Sequence, residues 1–291
     1  MSGSITLENR FGVNKMELIS LKYAIFVIVL LVLYYCFPKK YRWYVLLAGS
    51  MAYYVIICKW YVLFIIFTIC TTYGSTIWID KLLKKQNAIV KSHKEDWDRQ
   101  TRKEYKEKGR KKRVAVMLFA LLCNFGILAF LKYIPYAGEL GLLLPLGISF
   151  YTFQSMGYVM DVYREIVEPE KNFLKVALFV SFFPQIIQGP IAIYDKLAGQ
   201  LYEGHSLRLE NLQKGALLVL WGVMKKLVIA DRAVNIINFV MDKPMDFSGT
   251  YVFFAAVVYA LQLYADFSGG IDIVRGIAEM FGITMSTNFN R

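Results

Sequence analysis

Four polar side chains share one face of a predicted helix within residues 144–164, a segment that is otherwise strongly apolar. Tyr151, Gln154, Tyr158 and Asp161 follow one another at intervals of three, four and three residues, which places them in line along an α-helix. Because a carboxylate and an amide are costly in hydrocarbon, such groups are expected to face a bundle interior or a water-filled cavity. The pattern predicts a protein that handles a polar substrate inside a membrane.

A second polar group interrupts the apolar run 173–193. Two prolines, at the ends of residues 184–190, enclose Gln185, Gln188 and Gly189. Prolines and glycines within such a run are tolerated where the backbone is buried in protein or lines a cavity, so the segment predicts a broken or re-entrant helix. Two interpretations remain open: a kinked helix whose glutamines hydrogen-bond to their neighbours, or the lining of a substrate channel.

A third group lies in residues 262–275. Gln262 and Asp266 are four residues apart, as are Ser268 and Asp272, so each pair shares a helix face. This group serves either as polar contacts that hold membrane helices together or as part of a functional cavity. Contacts of the first kind contribute only about 1 kcal/mol each, which favours a functional cavity where two carboxylates are present.

Two further features of the third group concern its helix geometry. Asp272 and Arg275 are three residues apart and are predicted to pair. The adjacent Gly269 and Gly270 predict a helix break and a close approach of another helix.

The three groups together provide the candidates for a substrate-lining site: Gln154, Tyr158, Gln185, Gln188, Asp266, Ser268 and Asp272. Neither of the two histidines, His93 and His205, is expected to be catalytic, because both fall in polar connecting segments. The cysteines all lie in apolar runs without the spacing of a metal site, so neither a disulfide nor a bound metal is predicted.

The elements that position these residues are predicted to be membrane-spanning helices. The chain is 57% hydrophobic, and several apolar runs approach the roughly 20 residues needed to cross hydrocarbon. The short alternating segments of a membrane β-barrel are missing from the sequence. We therefore predict an all-α polytopic membrane protein of about eight spans plus broken or re-entrant helices, with three transmembrane helices in residues 18–79.

The positive charge is concentrated in one segment. Of the net charge of +12, most comes from residues 81–113, which contain 14 lysine and arginine residues and 5 acidic residues. In a polytopic protein this pattern indicates a cytoplasmic segment rather than a nucleic-acid-binding one. Residues 80–113 are therefore predicted to form a basic cytoplasmic loop, helical in its middle, that also contacts anionic lipid. With two spans between residues 39–42 and this loop, residues 1–17 are placed outside the cytoplasm.

Several segments resemble one family. Residues 144–164, 179–191 and 220–232 are similar to the membrane-bound O-acyltransferases, in the branch that contains alginate O-acetyltransferases. The Asp-Phe-Ser-Gly sequence at 266–269 and the Asn-Phe-Asn-Arg sequence at 288–291 complete the resemblance. The teichoic-acid D-alanylation branch is a poorer match.

The resemblance implies a ring of tilted helices around a central funnel, of which residues 114–291 would form part. It implies a protein of the cell membrane that takes an acetyl group from a cytoplasmic thioester, acetyl-CoA or a carrier. The acceptor would be a hydroxyl of an extracellular polysaccharide of the alginate type, reached through a secreted or surface acetyltransferase partner. The family's catalytic histidine lies in a segment expected beyond Arg291, so the chain is expected to be the N-terminal part of such an enzyme and to be inactive alone.

Two other classes of protein share some of these features. Proline-broken helices that carry carboxylates near the membrane centre are also typical of secondary transporters, although the paired halves of such transporters are not evident here. A non-catalytic membrane scaffold that docks a secreted partner is the second alternative.

Overall fold

The computed structural model describes residues 18–93, 95–133 and 144–287, and the regular structure within these ranges is entirely helical. This confirms the predicted all-α class. The helices are numbered here in chain order: α1 Leu21–Cys36, α2 Arg42–Cys58, α3 Val62–Ser92, α4 Arg99–Tyr133, α5 Ile148–Tyr163, α6 Phe173–Ser181, α7 Phe183–Gln188, α8 Tyr194–Tyr202, α9 Leu209–Met224, α10 Asp231–Met241 and α11 Gly249–Met280.

Within the described residues, three helical stretches are long and apolar enough to cross a membrane. They are Lys39–Ser92, which contains α2 and α3 joined by a short 3₁₀ turn, Arg99–Tyr133, which is α4, and Gly249–Met280, which is α11. Shorter apolar helices lie at Leu21–Cys36 and Phe173–Gln188. The chain is therefore a multi-pass membrane protein, as predicted.

The chain divides into two compact units. In its described part, unit 1 contains Leu47–Phe183 and Ile191–Tyr202, and unit 2 contains the segment up to Leu46 together with Pro184–Pro190 and Glu203 onwards.

The basic segment in unit 1 is a helical hairpin rather than a loop. Helix α3 continues past the predicted end of its span at residue 79 and ends at Ser92, while α4 begins at Arg99 and runs without interruption into the next span. At the start of α4, Asp98 accepts a hydrogen bond from the backbone N–H of Thr101 (2.9 Å). Hydrogen bonds from the Thr101 side chain and then from its backbone lower the pKa of the Asp98 carboxyl below its usual value. We refer to residues 80–113 as the basic hairpin.

The predicted broken helix is confirmed. Two polar side chains of unit 1 form hydrogen bonds with the backbone groups that the break leaves without helical partners. Pro184 lacks an N–H and cannot continue a regular helix, so the chain breaks between α6 and α7. The carbonyl oxygen of Phe179 accepts a hydrogen bond from Gln154 Nε2 (2.8 Å). The N–H of Phe183 donates to Ser50 Oγ (3.1 Å). These bonds replace the helical ones lost at the break, which is required of backbone buried in an apolar environment.

Unit 2 is organised by a close antiparallel contact between α9 and α11. Gly215 lies against Gly276, and Gly222 lies against Gly269. A Cβ atom added at Gly215 would be 2.5 Å from the Gly276 carbonyl oxygen, and one added at Gly269 would be 2.8 Å from the Gly222 carbonyl oxygen. The backbones of the two helices therefore touch, which is how small residues bring membrane helices together.

The predicted close packing at the adjacent glycines of α11 is thus confirmed, but the predicted helix break is wrong. Helix α11 is continuous from Gly249 to Met280 and passes through Gly269 and Gly270. The intrinsic cost of glycine in a helix is only about 1 kcal/mol per residue, and the packing that the missing side chains permit offsets it.

The glycine contact predicts a position-dependent cost for alanine. Gly215→Ala or Gly222→Ala should lower the free energy of unfolding by about 1–3 kcal/mol, because the added methyl group must push two backbones apart. Gly126→Ala in α4 is the control, since a Cβ there has no neighbour within 4 Å, and it should change stability by no more than about 1 kcal/mol. Unfolding in mixed micelles measures each value; equal costs at all three positions would contradict the contact.

Candidate functional site

A group of paired charges in unit 2 forms the candidate site. Lys225 Nζ lies 2.6 Å from Asp272 Oδ2, and Arg275 Nη1 lies 3.5 Å from Asp272 Oδ1. Lys226 pairs with Asp266 through its ammonium group. We call these five residues the polar cluster. Both aspartates of α11, Asp266 and Asp272, are neutralised by cations, as the membrane setting requires.

The two lysines reach α11 from an irregular segment. Residues Lys225–Ala230 form a π-helical stretch between α9 and α10. Such stretches are rare and occur often at functional sites, because the wider turn redirects side chains. The ammonium group of Lys225 also lies 5.7 Å from the ring centre of Trp221, a cation–π contact one turn earlier.

The Lys225–Asp272 pair is buried. The side chain of Lys225 is 12% exposed and that of Asp272 is 5% exposed. Removing one partner from such a pair leaves an uncompensated charge, whereas the intact pair holds a defined geometry. The pair of Arg275 with Asp272 also confirms the contact expected from their spacing.

Ser268 Oγ, one turn before Asp272 on α11, and Gln185 Oε1 on α7 are buried and have no hydrogen-bond partner among the described residues. The other end of the Gln185 amide donates to the Pro190 carbonyl (2.9 Å). A buried polar atom without a partner costs about 1–3 kcal/mol, so both atoms are candidates for contact with a polar substrate.

Gln188 approaches α11 at the second glycine of the pair. A Cβ at Gly270 would lie 2.8 Å from Gln188 Nε2, so the absence of a side chain makes room for the amide.

Five of the seven predicted lining residues are in unit 2: Gln185, Gln188, Asp266, Ser268 and Asp272.

The other two predicted residues lie in unit 1 and bond to its backbone. Gln154 supports the break between α6 and α7, as described above. The Tyr158 hydroxyl accepts a hydrogen bond from the N–H of Glu170 (2.8 Å), and the Tyr158 ring stacks on Tyr194 with ring centres 4.0 Å apart. These contacts give both residues a structural role, and a lining role for them stays a prediction.

The histidines lie in different surroundings. His93 is in the turn of the basic hairpin and stacks on Trp97. His205 borders a polar cavity of about 360 Å³ in unit 2, together with Arg208, Asn211 and Glu279.

The lysines of the polar cluster were not among the residues singled out from the sequence. Their partners become evident only once α9 and α11 are paired. A signal for that pairing exists: Gly215 and Gly222 are seven residues apart, and so are Gly269 and Gly276. Matching seven-residue glycine spacings in two apolar helices indicate that the two helices can pack closely along those faces, and the structure shows that they do so antiparallel.

The buried pair predicts strong coupling between its partners. Asp272→Asn or Lys225→Gln alone should lower the free energy of unfolding by about 3 kcal/mol, because each removes the nearest counter-charge of a buried group, and the double variant should recover part of that loss. The exposed Glu210–Lys214 pair of α9 (2.6 Å) is the control, and its removal should cost no more than about 0.5 kcal/mol. Additive losses for Lys225 and Asp272 in mixed-micelle unfolding would contradict the pairing.

No protein-family model matches the chain. Curated relatives do. The chain is 32% identical over 212 residues to the peptidoglycan O-acetyltransferase of Helicobacter pylori. The aligned residues make up 60% of this chain and 40% of that protein. The chain is 35% identical over 151 residues to the probable alginate O-acetylase AlgI of Pseudomonas syringae. This alignment covers 51% of this chain and 28% of that protein.

The matches thus cover less than half the length of these relatives. The teichoic acid D-alanyltransferase of Bacillus subtilis is more distant, at 25% identity over 152 residues. This order agrees with the weaker resemblance to the D-alanylation branch noted from the sequence. Over about half its length, the chain is homologous to O-acetylases of the membrane-bound O-acyltransferase family, which confirms the predicted resemblance.

Proposed function

We propose that this protein acts in the O-acetylation of an extracellular polysaccharide as a membrane-bound O-acyltransferase. The observation that carries the proposal is the 32–35% identity to proteins named alginate O-acetylase and peptidoglycan O-acetyltransferase. The polar cluster within apolar helices supports it, because acyl transfer across a membrane needs polar groups at that depth. The same similarity supports acetyl transfer over a secondary transporter or a non-catalytic scaffold.

The reaction transfers an acetyl group from the sulfur of a thioester donor to the oxygen of an acceptor hydroxyl. A hydroxyl oxygen attacks the thioester carbonyl carbon while a general base accepts the hydroxyl proton, and the carbon–sulfur bond then breaks to release a thiol. The site must stabilise the negative charge that develops on the carbonyl oxygen and must exclude water that would hydrolyse the donor. The family resemblance assigns the base to a histidine at a position that neither His93 nor His205 occupies.

The described residues are suited to orient groups rather than to deprotonate them. The lysines and carboxylates of the polar cluster fix the relation of α11 to the π-helical stretch. Ser268 Oγ and Gln185 Oε1 are buried groups with unused hydrogen-bonding capacity. We assign them to holding the acceptor hydroxyl or the carbonyl group during transfer.

The donor in this proposal is a cytoplasmic acetyl thioester, acetyl-CoA or an acetylated carrier. The acceptor is an alginate-type polysaccharide, and a secreted or surface acetyltransferase partner completes the transfer. Peptidoglycan is a second candidate acceptor, because the Helicobacter pylori relative carries that name and matches 60% of the chain. The protein is placed in the cell membrane with residues 81–113 on the cytoplasmic side, which the positive-inside rule supports.

The proposal predicts loss of ester-linked acetyl groups when the polar cluster is broken. In cells whose own copy of the gene is deleted, Asp266→Asn should lower the acetyl released from surface polysaccharide by mild alkali at least about tenfold, because small displacements of reacting groups are costly. Glu210→Gln, which removes an exposed carboxylate of unit 2, is the control and should restore acetylation fully. Immunoblots of membranes verify equal protein levels.

Two outcomes would contradict the proposal. One is a deletion strain whose polysaccharide and peptidoglycan both keep their acetyl groups. The other is full acetylation by the Asp266→Asn variant at a normal protein level, which would remove the polar cluster from the reaction.

A further inference from the structure

The basic hairpin of unit 1 forms most of the wall of an open cationic cavity. The cavity has a volume of about 650 Å³ and lies between the end of α3 and the beginning of α4. Six cationic residues and two acidic ones line it, with three neutral residues contributed by α3: Arg99, Arg102, Lys103, Lys106, Arg110, Arg113, Glu107, Glu165, Leu83, Gln86 and Asn87.

The cations of this cavity form one stripe along α4. From Arg99 to Arg113, each cation has another three or four residues away, so they share a helix face. Like charges at such spacings destabilise an isolated helix. The α3 residues that face the cavity are uncharged and supply no compensating carboxylate. The stripe therefore needs anions that its own helix pair provides only in part.

One cation of the stripe is buried with a donor unused. Arg113 is 8% exposed, and its Nη1 pairs with Glu165 Oε1 at 2.8 Å. Its Nε has no hydrogen-bond partner among the described residues. A buried guanidinium donor at the edge of a cationic cavity is a characteristic element of phosphate recognition.

The position of the cavity favours a lipid over a soluble anion. Helix α4 carries the stripe directly into a stretch that is apolar enough to cross a membrane. Trp97 and Tyr105, whose rings are 5.1 Å apart, lie in the same hairpin, and such aromatic residues are enriched at membrane interfaces. Basic pockets between membrane helices at this level bind phospholipid headgroups.

We propose that this cavity binds the phosphate headgroup of an anionic phospholipid. The phosphodiester would lie among Lys106, Arg110 and Arg113, with the acyl chains along the apolar part of α4. Positive charge placed only to orient the protein in the membrane needs no shared face, no cavity and no buried donor. The proposal is independent of the proposed acetyl transfer.

Binding of fluorescent phosphatidylglycerol to the purified protein in neutral detergent tests the proposal. The double variant Lys106→Gln with Arg110→Gln should weaken binding roughly tenfold or more, since each cation near a headgroup contributes appreciably. Lys108→Gln with Lys111→Gln is the matched control. It removes the same charge from the same helix turns, but neither residue lines the cavity, and binding should weaken less than about twofold. Thermal unfolding verifies that both variants are folded.

The competitors and the control decide the outcome. Displacement by unlabelled phosphatidylglycerol, but not by phosphatidylcholine or inorganic phosphate, is the expected result. Equal weakening in the two double variants would overturn the proposal, because it would show attraction to general surface charge. Complete displacement by inorganic phosphate alone would also overturn it, because the ligand would then be a soluble phosphate.

Discussion

The direct backbone contact between α9 and α11 is the constraint on which the candidate site depends. At Gly215–Gly276 and Gly222–Gly269, even one methyl group would collide with a carbonyl oxygen of the opposite helix. At this short separation, the chain that follows α9 brings Lys225 Nζ to 2.6 Å from Asp272 Oδ2. The contact has no polar component of its own, yet it determines which charges meet.

Charge burial in unit 2 follows from that geometry. A lysine or an aspartate alone would be costly among apolar helices, but the cluster brings cations and carboxylates together as neighbours. The π-helical stretch at Lys225–Ala230 is the irregularity that permits both adjacent lysines to reach α11. In unit 1 the buried polar groups are backbone groups at the helix break before Pro184. The side chains of Gln154 and Ser50 form hydrogen bonds with them. Polar residues in this protein thus serve to satisfy backbone as well as to build a site.

Much of this arrangement could be predicted from the sequence, because its signals are local. Prolines in an apolar run indicated the broken helix, and the three-residue spacing of Asp272 and Arg275 indicated their pairing. The continuity of α11 through Gly269 could not be predicted, because local propensity counts the cost of glycine without the packing of a partner helix. For the same reason Lys225 and Lys226 could not be identified from the sequence, because their partners are forty or more residues away along the chain. The basic hairpin is more helical than predicted, because α3 and α4 continue beyond the apolar residues from which the spans were predicted.

Exchange of the Lys226–Asp266 pair tests most directly whether this helix contact builds a working site. Lys226→Asp and Asp266→Lys should each abolish most acetylation, because each places two like charges side by side. The double exchange restores opposite charges at the same two positions. We expect it to return at least about half of the wild-type acetyl content of the polysaccharide. If the double exchange, at equal protein level, acetylated as little as either single variant, the Lys226–Asp266 pairing would not be what the reaction requires.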